Sequence, residues 1–278
     1  MKKRTLIKRG ITGSFVGFIL IVGTLLNSFT FLITFLTVII LGMYEFYKLG
    51  KNQDIVLPKY FGIFIGMTLF ICNYLFSKNL VPIQIFIILI PLLSSIFIIE
   101  LYRSNQRPFI NISQAVFGII YFAFPFSLFN YFVHSTDLNN NVIFNPEVLL
   151  GFFFITWASD TGAYIIGSTI GKRKLFERVS PKKTWEGTLG GGIFSIFVAL
   201  ILSNFYQSIN LFDWFIISII TVIMGTYGDL LESAYKRSLG VKDSGRILPG
   251  HGGILDRFDS MLLASPIVFL YLEINKLF

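Results

Sequence analysis

Nine apolar stretches of about 16–22 residues follow one another along this chain, each long enough to cross a bilayer as a helix at 1.5 Å per residue. The expected spans are 11–26, 29–48, 59–76, 82–101, 112–133, 148–168, 188–206, 212–231 and 255–274. The composition agrees. Of 278 residues 54% are hydrophobic, 17% aromatic and only 14% charged, far below the roughly 25% charged of a soluble domain. The expectation is an all-α, polytopic integral membrane protein with about nine transmembrane helices and no separate soluble domain.

The basic residues orient these spans, because Lys and Arg gather in short cytoplasmic loops. With the N-terminus cytoplasmic, 21 of the 23 basic residues fall on the inner side, and only Lys78 and Lys276 fall outside. The net charge of +8 is thus mainly a topology signal, aided by attraction to anionic lipid heads. It does not argue for nucleic acid, since aromatic stacking loops are absent. No A-x-A-like site follows the basic start and its apolar run, so these read as a retained first helix and not a cleaved signal. Cys72, the single cysteine, sits within a span, which excludes an intrachain disulfide and a thiolate metal cluster.

Residues 1–147 read as five spans rich in Phe, Ile and Leu, whereas residues 148–278 read as four spans with Gly, Asp, Lys and Ser gathered at their ends. The chemistry is expected in the second region. No internal repeat is evident, which weighs against the duplicated plan of many transporters. The connector from His134 to Glu147 lacks Lys and Arg, and His134 in it is expected to be solvated.

Three polar constellations stand out. Ser159, Asp160 and Thr161 interrupt the sixth span, and a carboxylate there either hydrogen-bonds between helices or faces a water-filled cavity and contacts a nucleotide or cation. The loop from Gly171 to Gly187 holds six cations, ending in Ser180, Pro181, Lys182, Lys183, Thr184, Trp185 and Glu186 before Gly190, Gly191 and Gly192. Ammonium groups and free N–H donors at a helix start suit a polyphosphate, with glycines allowing close backbone approach; an ordinary positive-inside loop is the alternative for Lys172, Arg173 and Lys174. The third constellation begins at Gly228. Asp229, Glu232 and Ser233 share one helical face, as do Asp256 and Asp259 on the ninth span. Carboxylates without His/Cys clusters favour Mg2+. Lys236, Arg237, Lys242 and Arg246 are then available to phosphate oxygens, while Gly250, Gly252 and Gly253 shape a turn around His251. Salt bridging of Asp256 with Arg257 would explain only part of this set.

Carboxylate-held metal beside a lysine-rich loop at a membrane suits phosphoryl or nucleotidyl transfer to a lipid. The 27-residue run Ser233-x2-Lys236-Arg237-x4-Lys242-Asp243-x-Gly245-x2-Leu248-Pro249-x-His251-Gly252-Gly253-x2-Asp256-Arg257-x-Asp259 resembles the motif of the phosphatidate cytidylyltransferase (CDP-diacylglycerol synthase) family. Tyr235 departs from it, an aliphatic residue or Phe being usual there. The segments 159–164 and 180–187 are also similar to that family.

The resemblance implies a reaction of CTP with phosphatidic acid giving CDP-diacylglycerol and pyrophosphate for phospholipid biosynthesis. It implies Mg2+ with a second, monovalent cation such as K+, and a homodimer in the plasma membrane with its site facing the cytoplasm. By motif position Asp229 and Asp256 ligate metal and Asp259 supports them, with Lys236 and His251 beside them in the catalytic set. Ser159, Asp160, Ser180, Lys182, Lys183, Ser233, Arg237, Lys242 and Arg257 fall to nucleotide or phosphate binding. A CTP-dependent polyprenol or phytol kinase would share these parts but transfer the γ-phosphoryl group. A transporter would also place charges in spans, at the midplane instead of one face.

Overall fold

The computed structural model describes residues 2–50, 59–103, 107–136, 141–245 and 252–275, with side chains from residue 13. Among these, seven helical segments are long and apolar enough to cross a membrane: Ser28–Gly50, Lys59–Ser77, Ile83–Tyr102, Pro108–Val133, Glu147–Ile170, Trp185–Phe205 and Leu211–Ser238. They make the protein an all-α polytopic membrane protein. The first and ninth expected spans are helical as Lys2–Leu25 and Leu255–Ile274 but fall outside that set. The latter carries Asp256, Arg257, Asp259 and Glu273. The chain packs as two compact units.

The first unit comprises Met1–Tyr131 and Leu239–Arg257. It contains α1 (Lys2–Leu25), α2 (Ser28–Gly50), α3 (Lys59–Ser77), a 3-10 stretch (Ile83–Ile88) running into α4 (Leu89–Tyr102), and α5 (Pro108–Gly118), which passes through a π turn (Ile119–Ala123) into α6 (Phe124–Val133). Asn27 starts α2 by accepting from the N–H groups of Phe29 and Thr30, each at 2.9 Å, satisfying donors that a helix start leaves open. The core is aromatic. Phe31 and Phe35 lie 4.8 Å apart, and Phe126 meets Phe129 at 5.2 Å. Tyr47 fits between Gly62 and Gly118, where a Cβ would strike its ring, and donates to the Ala115 carbonyl at 2.9 Å.

Among the described residues of this unit two glutamates are buried, and each has partners. Glu100 accepts from Asn111 and pairs with Arg103 at 3.4 Å. Glu45, 1% exposed on α2, accepts from the N–H groups of Ile254 (2.5 Å) and Leu255 (3.2 Å) at the start of α10 (Leu255–Ile274).

The second unit comprises Phe132–Ser238 and Phe258–Phe278. Its elements are the hairpin β1 (His134–Thr136) and β2 (Val142–Phe144), α7 (Glu147–Ile170), the hairpin β3 (Lys174–Phe176) and β4 (Ser180–Thr184), α8 (Trp185–Phe205), α9 (Leu211–Ser238) and the body of α10. His134 is buried, not solvated as expected. It pairs with Phe144 across the first hairpin, with the rings 5.8 Å apart.

α7 and α8 approach closely because α8 opens with glycines. A Cβ at Gly190 would enter the Ile166 side chain, and one at Gly191 would stand 2.7 Å from the Ser159 carbonyl oxygen. These small residues therefore serve helix contact in a lipid setting, and the expectation that Gly190 and Gly191 admit a polyphosphate is corrected. The other side of α8 exposes Leu189, Ile193 and Phe197, one turn apart, as a lipid-facing stripe. α9 runs seven residues past its expected end at 231, to Ser238. Glu232 pairs with Lys236 one turn on, and Lys236 and Arg237 suit the negative end of the helix dipole. Gly240 follows at φ +69°, the left-handed conformation that often ends helices.

Candidate active site

Four elements of the second unit bring titratable side chains together. Gly225 and Gly228 allow α9 to lie against α10: a Cβ at Gly225 would stand 3.4 Å from Ser260, and one at Gly228 would strike the Asp259 carbonyl. That close crossing sets Asp229 beside Asp259. The Asp259 carboxylate lies within electrostatic range of Asp229, Glu232 and Asp160, and it accepts the Ser260 N–H at 2.8 Å. Ser260 also donates to Asp160 of α7 at 3.4 Å. Asp160 is thus hydrogen-bonded between helices, the first of the alternatives that its sequence position leaves open, and it remains exposed.

Cations balance part of this charge. Lys183 Nζ sits 2.6 Å from Asp229 Oδ2, with both side chains partly exposed, and donates to the Thr226 carbonyl at 3.4 Å. Ser233 donates to Asp229 Oδ1 at 3.3 Å, as their i, i+4 spacing requires. Lys236 lies on α9 and not in a loop, its Nζ 2.5 Å from buried Glu232. Its side chain is 9% exposed and turned to its own helix, whereas contact with phosphate oxygens was expected of it.

The six-cation loop is an ordered hairpin. Lys174 pairs with Thr184 and Phe176 with Ser180, with a bulge between. Glu186, in the first turn of α8, accepts from the N–H groups of Lys172 (3.0 Å) and Arg173 (3.1 Å), and Thr184 caps α8 by accepting from the Gly187 N–H at 3.1 Å. Because strand side chains alternate, Lys182 and Lys183 leave β4 on opposite faces. Only Lys183 turns to Asp229, while Lys182 is exposed. Ser180 is partly buried at the start of β4, and Ser159 sits where α7 meets Gly191.

The first unit holds the remaining expected residues. Asp256, in the first turn of α10, accepts from the N–H groups of Gly253 (2.8 Å) and Ser244 (3.2 Å), so backbone donors hold its carboxylate. Gly252 adopts φ +86°, accessible to glycine at little strain. Lys242 and Arg257 are exposed, as is Arg237 at the end of α9 in the other unit. His251, Arg246, Leu248, Pro249 and Gly250 lie outside the described residues.

Two residues of these arrangements escaped the sequence reading. Ser260 links Asp160 and Asp259, and Glu45 holds the start of α10. Glu45 had a signal, being an acid within an apolar span, where a carboxylate is costly unless partnered.

Among the described residues no three His, Cys, Asp or Glu side chains already converge as a metal site. The donor chemistry nonetheless fits a hard divalent cation. Asp229, Asp160 and Glu232 lie within electrostatic range of Asp259, all offering oxygen, with Lys183 paired to Asp229 and Lys236 to Glu232. Acidic side chains so grouped, beside an ammonium on a hairpin, are of a kind that suits a metal–polyphosphate.

Comparison with known proteins finds similar sequences in bacteria. The phosphatidate cytidylyltransferase of Bacillus subtilis is 33% identical over 267 residues, covering 92% of each chain. That of Staphylococcus haemolyticus is 42% identical over 170 residues, which is 60% of this chain and 62% of the relative. That of Staphylococcus saprophyticus is 52% identical over 121 residues, 43% of this chain and 46% of the relative. The chain thus spans less than two thirds of the length of the two staphylococcal relatives in these alignments. A family model described as the cytidylyltransferase family matches residues 7–275, nearly the whole chain, and with the Asp229–Lys183 and Asp259 arrangement in place this chain belongs to the cytidylyltransferase family.

Proposed function

We propose that this protein is a phosphatidate cytidylyltransferase: it transfers the cytidylyl group of CTP to phosphatidic acid, giving CDP-diacylglycerol and pyrophosphate. The observation that carries this reading is family membership across residues 7–275, joined to carboxylates and a lysine gathered at helix ends. A phosphatidate oxygen forms the new bond to the α-phosphorus of CTP, the α–β phosphoanhydride bond breaks, and pyrophosphate leaves. No protein nucleophile is required. Asp229 and Asp259 are assigned to Mg2+, with Asp256, one turn before Asp259 on α10, as a further ligand. The bound ion would neutralise charge on the phosphates of CTP and on the leaving group.

Lys183, paired with Asp229, is assigned to the triphosphate, and Ser233 to orienting Asp229 by its hydrogen bond. Lys182, Ser180, Asp160, Ser159, Arg237, Lys242 and Arg257 are assigned to nucleotide or phosphate contacts, and Lys236 and His251 to support of the catalytic set. A second, monovalent cation such as K+, a homodimer, and a plasma-membrane location with the site facing the cytoplasm complete the proposal. The distribution of basic residues supports the orientation.

The test is the fate of isotope in CTP supplied with phosphatidate and Mg2+. Label at the α-phosphorus is expected in the lipid product and label at the γ-phosphorus in pyrophosphate. Entry of γ-label into lipid would identify a lipid kinase instead, and no transfer of either label to any lipid phosphate or alcohol would favour transport.

A further inference from the structure

We infer that Glu45, on α2, is a positioning residue for the Asp256 segment, holding the start of α10 so that the Asp256 carboxylate keeps its place. The inference rests on the assignment of Asp256 to the reaction, and the hydrogen-bond geometry stands apart from that assignment. Glu45 is 209 positions from Ile254 in sequence, yet its Oε2 accepts the Ile254 N–H at 2.5 Å and the Leu255 N–H at 3.2 Å. Those are two of the donors that the start of α10 cannot satisfy within the helix. A carboxylate there also suits the positive end of the helix dipole.

The surrounding residues are shaped for this contact. A Cβ at Gly245 would strike the Glu45 carboxylate, and so would one at Gly253. Gly252 turns the chain at φ +86° just before, and a Cβ there would stand 2.5 Å from Asp256 Oδ2. Asp256 in turn accepts from Gly253 and Ser244. Two carboxylates, one from α2 and one from α10, therefore hold the same short backbone segment from two sides. Glu45 lies 1% exposed and accepts from the main-chain N–H groups of Ile254 and Leu255, so its role is to hold that segment.

The test uses the full-length protein in lipid nanodiscs, with Glu45→Ala, Glu45→Gln and, as a second buried acid of the same unit, Glu100→Gln. Hydrogen exchange over residues 252–256 is read beside the kinetics. In Glu45→Ala the Ile254 and Leu255 amides are expected to exchange at least about tenfold faster while α2 and α3 keep their protection, and kcat falls roughly 10–100-fold, the usual cost of losing an orienting partner. The KM for CTP should stay within about twofold, since the lost interaction is not one with nucleotide. Glu45→Gln keeps a carbonyl acceptor and should fall between wild type and Glu45→Ala. Glu100→Gln should leave exchange at 252–256 unchanged.

Adding Glu45→Ala to Asp256→Asn should slow the enzyme little further, because both act through one carboxylate. Unchanged amide exchange, unchanged kcat, or loosening spread evenly over α2 and α3 would each overturn the positioning role. If Asp256→Asn alone kept full activity while Glu45→Ala still loosened the segment and lowered kcat, the assignment of Asp256 would fall and the hold of Glu45 on α10 would stand.

Discussion

At the scale of single residues, the ion pair between Lys183 and Asp229 ties the hairpin to α9, and it separates two lysines that look equivalent in sequence. Lys183→Ala should raise the apparent KM for CTP more than Lys182→Ala does, because only Lys183 leaves β4 on the Asp229 side. Steady-state kinetics with CTP varied at saturating phosphatidate checks this, and equal effects would return both lysines to a common role. Asp229→Asn and Asp259→Asn keep shape and remove charge. Turnover in each should fall by about two orders of magnitude or more, in keeping with loss of one strong transition-state contact. Normal purification with more than about a tenth of wild-type activity would remove that residue from the metal assignment.

Contacts like these were only partly legible in the sequence. The Asp229–Ser233 bond follows from their spacing on one helix, and the carboxylate-rich motif pointed to the stretch of chain where Asp229 and Asp259 come together. The Lys183–Asp229 pair and the Ser260 link to Asp160 depend on how separate elements pack, which local periodicity does not encode. Glu45 illustrates the limit most clearly, since an acid in an apolar span signals importance without naming the distant backbone it holds.

Among the elements, α8 shows how one helix can serve two surfaces. Its glycines face α7 and its Leu189, Ile193 and Phe197 face lipid. Spacing located this helix but could not tell a glycine needed for helix contact from one needed for phosphate, because both roles ask only for a missing side chain. Gly190→Ala separates them. The added Cβ would enter Ile166, so stability should fall by about 1–3 kcal/mol, the usual range for overpacking. A lower unfolding midpoint in nanodiscs with unchanged KM for CTP is the expected pair of results. A raised KM without loss of stability would restore the phosphate reading. The length of α9 was underestimated for a related reason. A hydropathy window ends where charge begins, yet Glu232 and Lys236 pair along the helix and carry it to Ser238.

At the scale of the whole molecule, orientation in the membrane decides whether the proposed chemistry can meet its nucleotide, since CTP is cytoplasmic and cannot cross a bilayer core unaided. The assignment of 21 of 23 basic residues to one side ties every loop to a predicted face. Positions near 51, 105, 176 and 244 should be cytoplasmic, and positions near 138 and 208 external. Position 176 falls in β3 of the lysine hairpin and position 244 beside the Asp256 segment, so both units are tested. In a Cys72→Ser background, single cysteines at these places would be treated in intact cells with a membrane-impermeant thiol reagent. Positions 138 and 208 should react, and 176 and 244 should react only after the membrane is opened. Labelling of 176 or 244 in intact cells, with 138 protected, would invert the protein. That result would place Lys183 and Asp229 on the face that lacks CTP, and the proposed function would fall even if each of the residue substitutions behaved as expected.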